Sequence, residues 1–261
     1  MKNISALALA ALAAISQGAS AQSFNGGLPP GWAVNGTAGT SGANGVVTLA
    51  PTSGSTAYGW VSTANSTAKA GYGLGDETNG STLTSSAFSA ATGDSLQFYF
   101  NYVTSDGSTF ADYAYANLLN ANTGAVVAVL FDARTEPTGT IAPGFGLPTP
   151  VATLSPASVP IISGAPVWAP LGGDSDSCYD AGCGYTGWIQ SDYSIAAAGS
   201  YELQFGVTNW DDTQYASGLA FDGITVAGVP IAPGVPEPQN VALMLAGLGL
   251  LVAARRAKSA R

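Results

Sequence analysis

The sequence predicts an all-β protein built as a single antiparallel β-sandwich. Between residues 24 and 234, short segments of alternating apolar and polar residues recur, separated by turns rich in Gly, Ser, Thr, Asn and Asp. This region has no helical periodicity of useful length, and its size suits one large hydrophobic core better than two. We therefore expect one sandwich domain at residues 22–228, with a targeting segment on either side.

The clearest predicted strand covers residues 95–103, where every second side chain is apolar or aromatic and large. A hairpin follows, because segments 112–120 and 125–132 flank the turn sequence Asn-Ala-Asn-Thr-Gly. The last strand, 218–226, carries a bulge signal at Gly223. Other strands are predicted at 32–34, 46–49, 58–61, 82–88, 187–190, 193–195 and 201–209.

Residues 134–187 interrupt this pattern, since they contain eight of the 15 prolines. Proline cannot donate to a sheet ladder, so little of this stretch fits a central strand. Apolar residues such as Phe145 and Trp168 argue against a solvated linker. We expect an ordered insertion with one strand at 151–154. Near its end lie Cys178 and Cys183, and in an oxidising compartment such a pair forms a disulfide that closes a short turn.

The first 21 residues predict a secretory signal peptide. Lys2 supplies the positive start, residues 4–15 are rich in Ala and Leu, and Ala19-Ser-Ala21 fits the small-residue cleavage site. Signal peptidase would cleave after Ala21 and leave Gln22 at the mature N-terminus. An uncleaved anchor is the alternative, and the small residues at the cleavage site argue against it.

Three parts follow one another at the C-terminus. Residues 229–238 form a proline-rich spacer that ends in the motif Val-Pro-Glu-Pro, and residues 239–261 combine an apolar run with a basic end. As a helix, the uncharged run 241–254 would be roughly 21 Å long, which is shorter than the bilayer core of roughly 30 Å. The four cations behind it favour the cytoplasmic side. This end therefore predicts a short transmembrane anchor helix.

The coincidence of these three parts resembles the PEP-CTERM sorting signal of exported proteins of Gram-negative bacteria. The resemblance implies recognition by a membrane-embedded exosortase, cleavage near the Pro-Glu-Pro motif, and delivery to the cell surface, outer envelope or extracellular matrix. The residues that match the signal are Val235, Pro236, Glu237 and Pro238, with Arg255 and Arg256 as the basic stop. An ordinary tail anchor, in which the prolines only break the helix, is the alternative.

Composition limits the functions of the exported part. Residues 22–234 contain Lys69 and Arg134 as their only cations against 15 carboxylates, a net charge of −13. Such a domain lacks the cationic surface that nucleic acids need, and it is not attracted to anionic lipids. The sequence has no histidine, which excludes a Ser-His-Asp triad and a zinc site in their usual forms. Neutral sugars and divalent cations are better candidate ligands.

Two acidic groups are candidate calcium sites, because Ca²⁺ prefers several oxygen ligands. They are Asp174, Asp176 and Asp180 beside the cysteines, and Asp211, Asp212 and Asp222 near the C-terminal end of the domain. Solvated acidic turns are the alternative for both groups, and the first lacks the glycine and the distal glutamate of an EF-hand. Asp222 follows an apolar run, and an inward orientation would require a partner or a cation.

Trp210 is the candidate ligand-contacting aromatic residue, because it lies between Asn209 and Asp211 in a predicted loop. A Gly-Ser turn, paired Asp residues and a final strand that holds Asp222 resemble the ends of jelly-roll carbohydrate-binding modules. This resemblance covers only about the last 30 exported residues. It implies that the sandwich is jelly-roll-like.

These observations favour a non-enzymatic protein of the cell surface or extracellular matrix, sorted by an exosortase and associated with exopolysaccharide or biofilm matrix. The alternatives are a surface-displayed carbohydrate-binding or carbohydrate-active protein, including a calcium-dependent lectin-like module. A glycosidase needs two carboxylates about 5–10 Å apart in a cleft, and the sequence singles out no such pair.

Overall fold

The computed structural model describes residues 24–52, 54–136 and 139–231. The predicted signal peptide with its predicted cleavage site at Ala19 and Ala21, the predicted sorting motif, the apolar run and its basic end lie outside the described residues. Among the residues that the structure describes, no helix is long and apolar enough to cross a membrane.

The regular structure of the described residues consists of seventeen β-strands and one short 3-10 helix. In chain order, the strands are β1 (Ala33–Asn35), β2 (Thr37–Ser41), β3 (Tyr58–Ser62), β4 (Glu77–Thr84), β5 (Phe88–Ala90), β6 (Ser95–Thr104), β7 (Tyr113–Asn120), β8 (Val126–Arg134), β9 (Thr140–Ala142), β10 (Thr153–Ser155), β11 (Val159–Pro160), β12 (Ile162–Ser163), β13 (Gly184–Tyr185), β14 (Ile189–Ser194), β15 (Gly199–Trp210), β16 (Ser217–Val226) and β17 (Val229–Pro230). The 3-10 helix covers Ala169–Asp174. The predicted all-β class is confirmed.

The long strands form two antiparallel sheets. Sheet I has the order β1-β4-β15-β7-β8, and sheet II has the order β10-β14-β6-β16-β3-β2. Eight strands make the central sandwich, namely β4, β7, β8 and β15 in sheet I and β3, β6, β14 and β16 in sheet II. The first of the eight lies beside the last, and the second lies beside the seventh, which is the jelly-roll order. The structure therefore confirms the jelly-roll-like sandwich.

The hydrophobic core lies between the two sheets, because each strand turns its apolar side chains to that side. Phe100 of β6 stacks on Phe131 of β8, with ring centroids 3.6 Å apart. Phe205 of β15 stacks on Phe221 of β16, with centroids 3.8 Å apart. Each pair joins sheet I to sheet II, so these aromatic contacts help to hold the sandwich closed.

The described part of the insertion at 134–187 is ordered, and its segment around Trp168 covers the outer face of sheet II. Trp168 is fully buried, and its indole N–H donates to the Tyr58 hydroxyl of β3 at 2.9 Å. Leu171 of the 3-10 helix packs into the same outer cluster. Cys178 and Cys183 form a disulfide, with Cα atoms 5.6 Å apart. The predicted ordered insertion and the predicted disulfide are confirmed.

Edge segments account for the differences from the predicted strands. Residues 46–49 contribute only an isolated bridge between Asn44 and Val47, because the Val46 amide donates to the Val167 carbonyl of the insertion at 2.9 Å. Strand β2 was not predicted, since its sequence Thr-Ala-Gly-Thr-Ser lacks alternating apolar residues. Val229–Pro230, assigned to the spacer, pairs with β16 and extends sheet II.

Candidate functional site

The interior of the sandwich changes from apolar to polar at one end. On β6, Phe98, Phe100 and Tyr102 belong to the core between the sheets. Because side chains alternate along a strand, Thr104 continues the same inward series, and Asp106 comes two residues later. Both are buried. The core series of β6 therefore ends in the hydroxyl of Thr104, and the buried carboxylate of Asp106 follows in the loop after the strand.

The same change occurs on the two neighbouring strands of sheet I. Leu203, Phe205 and Val207 of β15 belong to the core, and Asn209 continues their alternation. On β7, the inward series of Ala114, Ala116 and Leu118 is preceded by Asp112. Thr208 pairs with Tyr113 at the last paired position of β15 and β7, and Asn209 and Asp112 are the next residues beyond that pair. Both residues are fully buried.

Asp112 is the centre of a hydrogen-bond network at this end. Its Oδ1 accepts from the Trp210 backbone N–H at 2.8 Å, and its Oδ2 lies 2.6 Å from the Ser217 hydroxyl. The Ser217 hydroxyl also lies 2.7 Å from the Thr104 hydroxyl. Thr104 Oγ1 in turn accepts from the Asp106 backbone N–H at 3.0 Å. The network links residues of both sheets.

Burial raises the pKa of both inward carboxyl groups, because a charged carboxylate loses hydration there. The pKa of Asp106 rises to about 7 through burial, opposed by the Gly107 N–H and reinforced by the charges of Asp212 and Asp174. The pKa of Asp112 is raised well above its ordinary value, first by burial and then by Asp106. The carboxyl groups at this end are therefore close enough to interact electrostatically.

A cleft of about 750 Å³ opens beside this network, between the loop after β3, strand β4, the 3-10 helix and the loop after β15. Hydroxyl and amide side chains dominate its lining, and they include Asn65, Thr67, Asn79, Asn209 and Thr213. Lys69 and Asp174 are its charged residues, and no aromatic residue is among the described residues that line it. Hydroxyls and amides both donate and accept hydrogen bonds, so this lining suits a neutral polar ligand.

Trp210 is the last residue of β15 and not part of a loop, and it is partly exposed. The Arg134 guanidinium lies over its ring, 4.3 Å from the ring centroid. The Tyr113 ring lies beside it, with centroids 6.3 Å apart. Trp210 does not line the cleft. Arg134 therefore occupies one of the two ring faces that a sugar would stack on.

The predicted calcium ligands near the disulfide point to different places. Asp174 lines the cleft, and its Oδ2 accepts from the Ala216 N–H at 2.9 Å. Asp180 caps its own turn, because its Oδ1 accepts from the Ala181 N–H at 2.7 Å. Asp176 is exposed. Each of these carboxylates therefore belongs to a separate local arrangement.

The second predicted calcium group is also divided. Asp211 is exposed, while Asp212 Oδ1 accepts from the Gln214 N–H at 2.8 Å within the loop. Asp222 lies in the middle of β16, opposite Tyr99 of β6. Across residues 24–52, 54–136 and 139–231, no group of three or more Asp, Glu, His or Cys side chains is placed to hold a metal ion.

Asp222 does not point into the core. Its neighbour Phe221 belongs to the core between the sheets, so alternation turns Asp222 to the outer face of sheet II. It is nevertheless fully buried there, and the Ser55 hydroxyl donates to its Oδ2 at 2.5 Å. An inward orientation of Asp222 is therefore wrong, and the partner of its carboxylate is the hydroxyl of Ser55.

Sequence analysis missed the three residues that define the polar end: Asp106, Asp112 and Asn209. The available signal was the alternation of β6, β7 and β15, which each continue by one or two inward positions beyond their apolar residues. Two of their side-chain oxygens, Asp106 Oδ2 and Asn209 Oδ1, are buried without a hydrogen-bond partner. The acidic loops predicted as calcium sites contain more exposed carboxylates, such as Asp176, Asp180 and Asp211.

Comparisons with known proteins give only distant similarities. No protein-family model and no curated protein matches the chain. The K1 cleaved adhesin domain of Lys-gingipain from Porphyromonas gingivalis W83 is 12% identical with a TM-score of 0.39, and the match covers 79% of this chain and 95% of that chain. The K3 cleaved adhesin domain of the same protein is 10% identical with a TM-score of 0.38, covering 80% and 96%. The enzymatically active domain of tailspike protein 4 from bacteriophage CBA120 is 11% identical with a TM-score of 0.32, covering 75% of this chain and 19% of that chain. Similarity at this level assigns no function to this chain.

Proposed function

We propose that this chain is an exported, non-enzymatic protein of the cell surface or extracellular matrix that binds a neutral polysaccharide in the cleft at the polar end of its sandwich. The observation that carries the proposal is the lining of that cleft by hydroxyl and amide side chains. Such groups match the hydroxyls of a sugar, which donate and accept hydrogen bonds in the same way.

Export and surface sorting are supported by the two ends of the sequence. The signal peptide would send the chain through the inner membrane, and the PEP-like motif with its apolar run and arginines would deliver it to an exosortase. The disulfide between Cys178 and Cys183 fits the same route, because disulfides persist in oxidising compartments. The partners are therefore signal peptidase and an exosortase during export, and an exopolysaccharide afterwards.

Binding without hydrolysis is supported by the carboxylates around the cleft. Asp174 is the carboxylate among the described lining residues, and its Oδ2 already accepts from the Ala216 N–H. Asp106 and Asp112 are buried, at 1% and 0% exposure, and are not among the described residues that line the cleft. Glycoside hydrolysis requires two carboxylates that both reach the scissile bond. The arrangement therefore favours a binding cleft.

A glycan array probed with the full chain tests this proposal. We expect binding to one class of neutral polysaccharide, and weaker binding by the double variant Thr67→Ala/Thr213→Ala. Both threonines line the cleft and are exposed, so the variant removes ligand contacts and keeps the fold. Loss of two hydrogen bonds of about 1 kcal/mol each lowers affinity by about tenfold or more.

The matched control is Thr109→Ala/Thr149→Ala, which removes two exposed threonines outside the cleft. This control should bind like the wild type. An array without any glycan signal, or equal affinities for the cleft variant and the wild type, would refute the proposed binding site.

A further inference from the structure

The polar end of the sandwich contains buried oxygen atoms that the protein leaves unpaired. Asp106 is 1% exposed and Asn209 is fully buried, yet Asp106 Oδ2 and Asn209 Oδ1 have no hydrogen-bond partner. A buried polar atom without a partner loses its hydration and gains nothing in return. Such an atom is stabilised when a proton, a water molecule or a bound cation satisfies it.

Asp112 joins these two residues into one group. Its Oδ1 accepts from the N–H of Trp210, the residue after Asn209, and the Ser217 and Thr104 hydroxyls connect it to the Asp106 backbone. The three residues therefore lie at the same end of the sandwich, where Asp106 Oδ2 and Asn209 Oδ1 have no hydrogen-bond partner.

The described cations do not neutralise this group. The Arg134 guanidinium donates to the carbonyls of Ala111 and Phe145 and lies over the Trp210 ring. Lys69 is exposed on the cleft. Two buried carboxylates without a nearby positive charge are costly, so a bound cation would offset that cost.

We propose that Asp106, Asp112 and Asn209 bind a calcium ion at the polar end of the sandwich. Carboxylate and amide oxygens are the ligands that Ca²⁺ prefers, and its six to eight coordination positions leave room for the Thr104 and Ser217 hydroxyls and for water. The ion reaches the site through the cleft, because Asn209 is part of the cleft lining. The site differs from both acidic groups predicted from the sequence, and it does not depend on glycan binding.

Thermal unfolding of the full chain tests the site. After treatment with EDTA, millimolar CaCl₂ should raise the melting temperature by roughly 5–10 °C, if calcium is present at about 100 times its dissociation constant. Asp106→Asn keeps the size of the side chain and removes one charge, so it should unfold at or above the temperature of the EDTA-treated wild type. The calcium-dependent rise should be lost in this variant.

Asp176→Asn is the matched control, because Asp176 is an exposed carboxylate of the acidic turn. It should keep the full calcium response. Isothermal titration calorimetry of the same three proteins should give one calcium site in the wild type and in the control, and a loss of affinity of at least tenfold in Asp106→Asn.

Three results would overturn the proposal. The first is a wild-type melting temperature that does not respond to calcium. The second is an unchanged calcium response in Asp106→Asn. The third is loss of the response in Asp176→Asn alone, which would place the ion at the acidic turn.

Discussion

Asp222 has one carboxylate oxygen bonded to the Ser55 hydroxyl, while the other oxygen, Oδ1, is buried without a partner. Burial raises its pKa to about 6, and the bonds from Ser55, Gly223 and Thr52 partly oppose that rise. The native protein therefore holds a proton at Asp222 at pH values where the unfolded chain has already released it. Asp222 should make stability depend on pH.

The raised pKa of Asp222 determines how the free energy of unfolding changes with pH. Between about pH 4 and about pH 6 the native state binds more protons than the unfolded state, so the free energy of unfolding falls as the pH rises. Asp222→Asn removes this contribution. Across this pH range, the free energy of unfolding of the variant should change by about 1–3 kcal/mol less than that of the wild type. Urea unfolding of both proteins in EDTA across this range measures the difference. Parallel profiles would show that Asp222 does not titrate in this way.

At the scale of elements, the turn closed by Cys178 and Cys183 supports the loop that follows β6. The Ser108 N–H donates to the Ala181 carbonyl at 2.9 Å, and the Tyr179 N–H donates to the Ser105 carbonyl at 3.0 Å. These bonds flank Asp106 on both sides. The disulfide therefore stabilises the backbone that positions one of the proposed calcium ligands.

Removal of this disulfide should have a modest effect. Cys178→Ser/Cys183→Ser should lower the free energy of unfolding by about 2 kcal/mol, because the closed loop is short and constrains the unfolded chain little. In a domain of this size that corresponds to a melting temperature lower by about 4–8 °C. Dithiothreitol should lower the wild type to the level of the variant and leave the variant unchanged. A variant that fails to fold would show that the turn supports the whole sandwich.

The central strands could be predicted because the alternation in their sequences shows directly which side chains are buried. Strand β6 and the hairpin of β7 and β8 alternate large apolar residues with polar ones, and the chain has no competing helical pattern. The bulge near Gly223 was also predicted, and the register of β16 shifts between Asp222 and Thr225. Edge elements such as β2 carry no such signal, because their pairing depends on neighbours distant in sequence.

The candidate site was less predictable for a related reason. Asp106, Asp112 and Asn209 are far apart in sequence, and only the jelly-roll order brings the ends of β6, β7 and β15 together. The sequence pattern instead pointed to acidic residues that are close to one another in sequence, such as Asp174, Asp176 and Asp180. The sequence predicts calcium ligands mainly in acidic loops. The calcium ligands proposed from the structure instead come from the ends of strands that are remote from one another in the sequence.

At the scale of the whole molecule, an acidic sandwich lies between two segments that the sequence predicts to be targeting signals. With 15 carboxylates against two cations, the region between these segments carries a net charge of −13, which opposes binding to nucleic acids and to anionic lipids. A neutral polysaccharide does not meet this electrostatic barrier. The charge of the domain and the hydroxyl and amide lining of its cleft therefore favour the same class of ligand.

The C-terminal segment should determine where the protein is found. We expect the full chain in the membrane or at the cell surface, and a chain lacking residues 235–261 in the medium. The triple variant Pro236→Ala/Glu237→Ala/Pro238→Ala keeps the apolar run and should accumulate unprocessed in the membrane. Cell fractionation and mass measurement follow both outcomes. Normal processing of the triple variant would favour an ordinary tail anchor over an exosortase signal.

The most direct test of the proposed binding site is NMR mapping of backbone amides, with the glycan that gives the strongest array signal as the ligand. We expect the chemical-shift changes to concentrate in the loops that line the cleft, at residues 63–67 and 213–216. The turns at the opposite end of the sandwich, 91–94 and 121–125, should remain unchanged. Chemical-shift changes concentrated at that opposite end, with the cleft loops unaffected, would show that the glycan does not bind in the cleft.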